Sequence, residues 1–304
     1  MLRSLCFAAT LLAATLAAQQ QRRWVITEPV AGSQSPLEMT FVMTRDGIYT
    51  PIALRKPPGD GPFPAVLFFA GNGGGGMPAA RRTMLTRGYT SDRFLAAGYV
   101  VAWLRYRAEV PGAYDGAEKL PVGHRVLPRS PLDHDDLLSI VEYVKALPFV
   151  SADRVGLVGS SHGGELILKA ATEMDFAAGV LSEPAATEYL SLAREKLPPG
   201  EPQLQDKQRV AALADKAAAM QRIRKINTPL LVVGRDDDHL QGVFQLTYDW
   251  LKEAGKDVEW VSYDHPRHGF IFPTRGKDRA YHPNDTQRAA IQRIMKFFED
   301  KMKR

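Results

Sequence analysis

The sequence predicts an α/β fold, a mainly parallel central sheet with helices on both faces and a candidate small helical cap. Three observations predict it. Short, continuous apolar runs bounded by turn residues recur along the chain, as expected of strands buried on both faces. Helix-compatible stretches alternate with these runs, and parallel neighbours need such crossovers. With 45% hydrophobic and 24% charged residues over 304 positions, the chain has the composition of a globular protein and enough length for one large domain.

The elements follow in order. From Leu37, Met39, Phe41 and Met43 fall on one face of a strand; Gly47 marks a turn, and Tyr49 to Leu54 returns antiparallel to it. A Pro/Gly loop, Lys56 to Pro64, leads to the apolar run Ala65 to Ala70, which Gly71 to Gly76 breaks sharply. A helix near Ser91 to Ala97 precedes a strand Tyr99 to Leu104, and a helix near Pro131 to Leu147 precedes a strand Arg154 to Val158. A helix Glu165 to Glu173 and a strand Ala178 to Leu181 continue the series. Between Glu183 and Ile226 the strand rhythm stops, and this charged, helical segment reads either as a cap or as a surface excursion. Strand Pro229 to Val233, helix Gln241 to Ala254, strand Val258 to Tyr263 and helix Pro283 to Lys301 complete the pattern. In such a sheet, ligands sit at the carboxyl ends of the strands.

The first twenty residues differ from the rest. Arg3 gives a positive start, Leu5 to Ala18 is apolar and uncharged, and the small residues Ala17 and Ala18 suit a cleavage site. Residues 1–20 are therefore expected to be a secretory signal peptide, 21–36 a linker, and 37–304 one domain. The apolar stretch is shorter than a spanning helix requires, so a secreted or periplasmic protein is expected, with no stable membrane insertion after cleavage. The only cysteine, Cys6, lies in the segment to be removed, which excludes disulfides and thiolate chemistry from the mature chain. The formal charge of +5 is spread along the chain with no basic run, so no nucleic-acid partner is expected.

The chemistry is concentrated in three places. Arg154 to Gly164 reads RVGLVGSSHGG, a short strand running into Gly159-Ser160-Ser161-His162-Gly163 and then a helix. A nucleophilic serine on a tight strand-to-helix turn needs glycines two positions before and after it, because side chains there would strike neighbouring backbone. This picks Ser161 over Ser160, and the helix start behind it favours developing negative charge. A serine hydroxyl also needs a base, and the base a carboxylate, in the order serine, acid, histidine. Strand 229–233 ends at Gly234 and a turn carrying Asp236, Asp237 and Asp238; the next strand ends in Asp264-His265-Pro266-Arg267-His268-Gly269-Phe270.

These residues resemble the catalytic domain of the prolyl oligopeptidase family and the neighbouring dienelactone hydrolase-like and acetyl xylan esterase-like enzymes, over about Leu37 to Phe298. The resemblance implies the α/β-hydrolase fold. It also implies Ser161 as nucleophile, His268 (the histidine before Gly-Phe) as base, and Asp237 as acid, three residues after the glycine that ends the strand, with Asp236 and Asp238 as alternatives. It implies an oxyanion hole from the backbone amides of His162 and of Asn72 or Gly71, although Ala70 replaces the histidine usual in that loop. Dienelactone hydrolases use a cysteine nucleophile, which Ser161 is not. Only about a dozen residues separate the expected cleavage site from the start of the resemblance, so no propeller is expected, and a small-molecule or glycan ester substrate is expected ahead of a peptide. An aminopeptidase-like activity and a noncatalytic ligand-binding protein are the alternatives.

Other clusters have plainer readings. Asp133 to Asp136 with His134 complement the start of a helix, no metal site is expected there or at His265 and His268, and Gly73 to Gly76 lack the Lys-Ser/Thr of a phosphate loop. Arg105 and Tyr106, at a strand's carboxyl end, are candidate substrate contacts. No cofactor is required.

Overall fold

The structure, a computed structural model, describes residues 26–69, 71, 76–106, 133–193 and 204–302. The expected signal peptide, Ala70, Asn72 and residues 194–203 of the expected cap lie outside them.

One nine-stranded sheet runs β1 (Ile26–Glu28), β2 (Leu37–Met43), β3 (Tyr49–Arg55), β5 (Val100–Leu104), β4 (Phe63–Phe69), β6 (Val150–Ser160), β7 (Ala178–Ser182), β8 (Leu230–Arg235), β9 (Val258–Tyr263) in spatial order. From β5 to β9 every neighbouring pair is parallel, and β1, β2 and β3 add an antiparallel edge. This is the α/β-hydrolase architecture that the sequence predicts. The chain leaves β4 for β5 on one side and returns to β6 on the other. The sheet order reverses direction at β4, and the carboxyl ends of the strands beside such a reversal are where folds of this kind bind ligands.

Both faces of the sheet are buried, as the continuous apolar runs require. Along β4, Ala65, Leu67 and Phe69 point into one cluster and Val66 and Phe68 into the other. Helices α3 (Asp133–Lys145), α4 (His162–Ala171), α5 (Lys207–Leu213), α6 (Lys216–Ile223) and α7 (Gln241–Glu253) cover the first face. Helices α1 (Gly76–Thr86), α2 (Tyr89–Ala96) and α8 (Asp285–Met302) cover the second, where Phe68 stacks on Trp103 at 5.6 Å.

Three elements differ from the expectation. β6 begins four residues earlier than its apolar run, because its first half pairs only at the bulged edge with Phe63. α1 starts directly behind the glycine-rich stretch, which carries no apolar periodicity to announce it. In 183–226, Ala185, Ala186, Tyr189, Leu190, Val210, Met220 and Ile223 all belong to the first core cluster, so the described part of this segment packs into the main helical layer.

Candidate active site

The turn after β6 is set by backbone alone. Ser161 has φ 57 and ψ −121, a conformation that non-glycine residues avoid and that survives only where the surroundings enforce it. Here its N–H donates to Ser182 O at 2.9 Å, and its carbonyl accepts from Gly164 and Ala185 N–H at 3.0 and 2.9 Å. Gly159 is required by close approach: a Cβ there would stand 2.4 Å from the carbonyl carbon and oxygen of Gly163. β6 thus runs directly against the first turn of α4, with Ser161 capping it.

Gly71, from the loop after β4, meets the serine; a Cβ on it would lie 3.3 Å from Ser161 Cβ and 3.6 Å from Oγ. The structure therefore brings together Ser161, the Gly71 backbone and the start of α4 at His162. The His162 side chain points away into the interior, with Nε2 3.1 Å from Asp133 Oδ2, Nδ1 3.6 Å from Glu165 Oε2, and the Tyr106 ring against it at 5.8 Å. Glu165 in turn accepts from Glu188 and Tyr189 N–H at 2.7 and 2.8 Å. His162 shapes the elbow through these bonds. Arg105 and Tyr106 are both buried: Arg105 donates to Thr83 Oγ1 at 2.9 Å, bracing α1, and Tyr106 packs on His162.

The loop after β9 stands beside the turn after β6, a Cβ on Gly269 lying 3.5 Å from Ser160 Oγ, and no hydrogen bond joins His268 Nε2 to Ser161. His268 Nδ1 lies 2.8 Å from Oδ2 of Asp238, whose side chain is fully buried, and His268 Nε2 is buried without a hydrogen bond. Of the expected Asp237 and its alternatives Asp236 and Asp238, the structure sets Asp238 against the histidine. Asp237 is exposed, with φ 56, and its neighbour Asp238 faces the histidine. The reason is strand length: β8 continues one residue past Gly234 to Arg235, and Asp236 still follows the ladder by donating its N–H to Tyr263 O. The turn starts one residue late, and the inward position moves from 237 to 238. Asp236 accepts from Ser262 Oγ instead. His265 stacks on Phe270 at 5.0 Å and accepts from Arg267 N–H, a packing role.

Two further residues, not singled out from the sequence, complete the arrangement. Arg235 Nε donates to Asp238 Oδ2 at 2.8 Å, and its Nη1 donates to His265 O at 2.8 Å. Glu183, fully buried at the end of β7 with φ 46, accepts from Gly269 N–H at 2.8 Å through Oε2, while Oε1 stands 3.8 Å from His268 Nδ1 and 3.6 Å from Arg235 Nε. The polar Ser-Glu pair that ends the apolar run 178–181 was the available signal for it.

Electrostatics follow from these contacts. Burial opposes charge on Asp238, but hydrogen bonds from His268, Leu240 N–H and Arg235 outweigh it and lower its pKa to about 2. Burial pushes Glu183 up to about 7, against the pull of His268 and the Gly269 N–H. For His268, burial lowers the pKa, while the Asp238 hydrogen bond and the Glu183 charge raise it further, leaving a net rise. Asp238, His239 and His268 also present ligand-type atoms within 4.8 Å of one another. Asp238 Oδ1 already accepts from Leu240 N–H, Oδ2 already serves His268 and Arg235, and the guanidinium faces the same carboxylate, so this trio does not fit a cation. No described helix is long and apolar enough to cross a membrane.

Residues 124–304, more than half the chain, match the prolyl oligopeptidase family. No curated protein matches in sequence. Among solved structures, the chain is similar to acylaminoacyl peptidase of Pyrococcus horikoshii (21% identity, TM-score 0.59, 90% of this chain, 42% of that one). It is also similar to a fungal esterase from Rhizomucor miehei (19%, 0.59, 95% and 88%) and to an esterase from Pyrobaculum calidifontis (17%, 0.58, 90% and 87%). At these identities the likeness shows the fold. The chain spans about two fifths of the length of the acylaminoacyl peptidase.

Proposed function

The chain belongs to the prolyl oligopeptidase family, and on that premise we propose that it is a serine hydrolase cleaving carboxylic esters through an acyl-enzyme. Ser161 gives its hydroxyl proton to His268 Nε2 and attacks the ester carbonyl. The backbone amides at Gly71 and His162 receive the oxyanion, and His268 passes the proton to the leaving alcohol. A water molecule then repeats the sequence and releases the acid. Asp238 holds the Nδ1 proton in place and stabilises the imidazolium.

One observation carries this reading: a buried carboxylate 2.8 Å from His268 Nδ1, with Nε2 buried and making no hydrogen bond, in a fold whose central strand ends in the strained Ser161. Esters are put ahead of peptides because two esterases stand among the similar structures and match this chain over most of their own length. The test is labelling of the purified protein with a fluorophosphonate, alongside Ser161→Ala and His268→Ala. Labelling is expected in the parent and lost in both variants. A folded parent that takes no label refutes the activated serine, and aminoacyl anilides turned over faster than acetyl esters would move the substrate to peptides.

A further inference from the structure

We infer that Glu183 is a second, charge-bearing positioning residue for the base, so that the imidazolium formed at His268 is held between two carboxylates. The inference deepens the proposed function and rests on His268 being the base.

Three elements converge on this carboxylate. The turn after β8 brings Asp238 and Arg235, the loop after β9 brings His268 and the Gly269 N–H, and β7 contributes Glu183 itself with Ser182, whose hydroxyl donates to Oε2 at 3.3 Å. His239, tilted over the His268 ring at 5.0 Å, is the remaining titratable neighbour. Glu183 Oε2 is satisfied by Gly269. Oε1 is buried, makes no hydrogen bond, and lies 3.8 Å from the same ring nitrogen that Asp238 holds at 2.8 Å. A fully buried carboxylate is costly unless something rewards it, and its backbone sits at φ 46, a second cost. A role limited to anchoring Gly269 would be met equally well by glutamine. What glutamine cannot supply is negative charge beside an imidazolium.

During attack, one proton moves from Ser161 Oγ to His268 Nε2. The Nδ1 proton stays between His268 and Asp238, and Glu183 in its ionised form only accepts. Rocking the ring by about an ångström would give Nδ1–H to Oε1 in place of Oδ2, so Glu183 also serves as a reserve partner. Burial raises its pKa to about 7 even though Arg235 Nε stands 3.6 Å from Oε1, beyond hydrogen-bond reach, so the imidazolium adds a second cation that favours its charged form.

Glu183→Gln keeps the acceptor for Gly269 N–H and removes the charge. The titration of the His268 imidazole, followed by NMR with His268→Asn for assignment, is expected to fall by about half a pH unit to one unit. The acid limb of kcat/KM should move down by the same amount, with kcat about tenfold lower. Glu183→Asp, which keeps the charge, should restore the titration towards the parent's. In an Asp238→Asn background, Glu183→Gln should cost about a further hundredfold, more than alone, because the reserve partner is then in use. An imidazole titration unmoved in Glu183→Gln overturns the inference even if activity falls, since it would leave Glu183 only its bond to Gly269. The NMR titration needs no turnover, so a parent that fails to label or hydrolyse would count against the proposed function and not against this inference.

Discussion

Replacing Asp238 by asparagine tests which of three consecutive aspartates serves the base. Oδ1 accepts from Leu240 N–H at 2.8 Å, and Oδ2 accepts from both Arg235 Nε and His268 Nδ1 at 2.8 Å. An asparagine has one acceptor oxygen for these two sets of donors. If it faces His268 and Arg235, its NH2 meets Leu240 N–H donor to donor; if it turns over, it meets Nδ1–H and Arg235 in the same way. Either arrangement also removes the full charge that stabilises the imidazolium in a fully buried place. The loss in kcat should be about 10³, or about 4 kcal/mol of transition-state stabilisation at 1.36 kcal/mol per decade. Asp237→Asn is the matched control. Its side chain is exposed, and at φ 56 asparagine is as well tolerated as aspartate, so kcat/KM should stay within about twofold of the parent. Initial rates on p-nitrophenyl acetate, with circular dichroism to confirm folding, decide between them. A tenfold or greater loss in Asp237→Asn with Asp238→Asn near the parent would refute the assignment built on the late start of the turn after β8.

Other consequences are independent of that pair. Gly159→Ala puts a methyl group 2.4 Å from backbone atoms of Gly163, an overlap that no rotamer relieves, and should cost about 3 kcal/mol or more, lowering Tm by about 10 °C; an unchanged melting curve would show that β6 and α4 can separate freely. The Glu183 carboxyl has a higher pKa in the fold, about 7, than its ordinary 4.5, so the folded chain binds more protons in that window and stability is lost as pH rises through it. Glu183→Gln should therefore gain up to about 3 kcal/mol over the parent at pH 8 relative to pH 5 in denaturant titrations, and equal gains at both pH values would contradict the burial argument. We further propose that the protein is exported with its signal segment removed: N-terminal sequencing of the mature protein should begin within Gln19 to Gln21, and a retained Met1 would rule cleavage out.

Much of the fold was legible because its strands are buried on both faces. Runs such as Val66-Leu67-Phe68-Phe69 cannot alternate with polar residues when one set of side chains enters each core cluster, and the helices between them follow from parallel pairing. The elbow was legible for a related reason: Gly159 reports a backbone contact, and backbone contacts leave a fixed spacing in sequence. The acid was not fixed in the same way. Asp236, Asp237 and Asp238 are chemically identical, and the choice among them depends on whether β8 stops at Gly234 or continues to Arg235, a difference decided by pairing with Tyr263 on β9. Glu183 offered only its break of the apolar run 178–181, because its partners Arg235 and Gly269 lie 52 and 86 positions away, and Arg235 was hidden because what aims it, Asp238 and His265 O, depends on where the turn after β8 starts.

The polar groups around the elbow form two sets with different tasks. Asp133, His162 and Glu165 tie α3, α4 and the Glu188–Tyr189 backbone together around the start of the helix that follows Ser161. Asp238, Arg235, Glu183 and His268 tie the ends of β7 and β8 to the loop after β9. Burying this many ionisable groups is weak support for stability, since well-packed apolar residues of the same volume would serve at least as well. Most of them stand at or just past the carboxyl ends of strands, where a reaction that develops one negative and one positive charge would use them. On the proposed function, the first set positions donors for the oxyanion and the second receives the proton. If so, mutations in the first set should lower kcat without moving the acid limb of the pH profile, whereas loss of charge at Glu183 should move it.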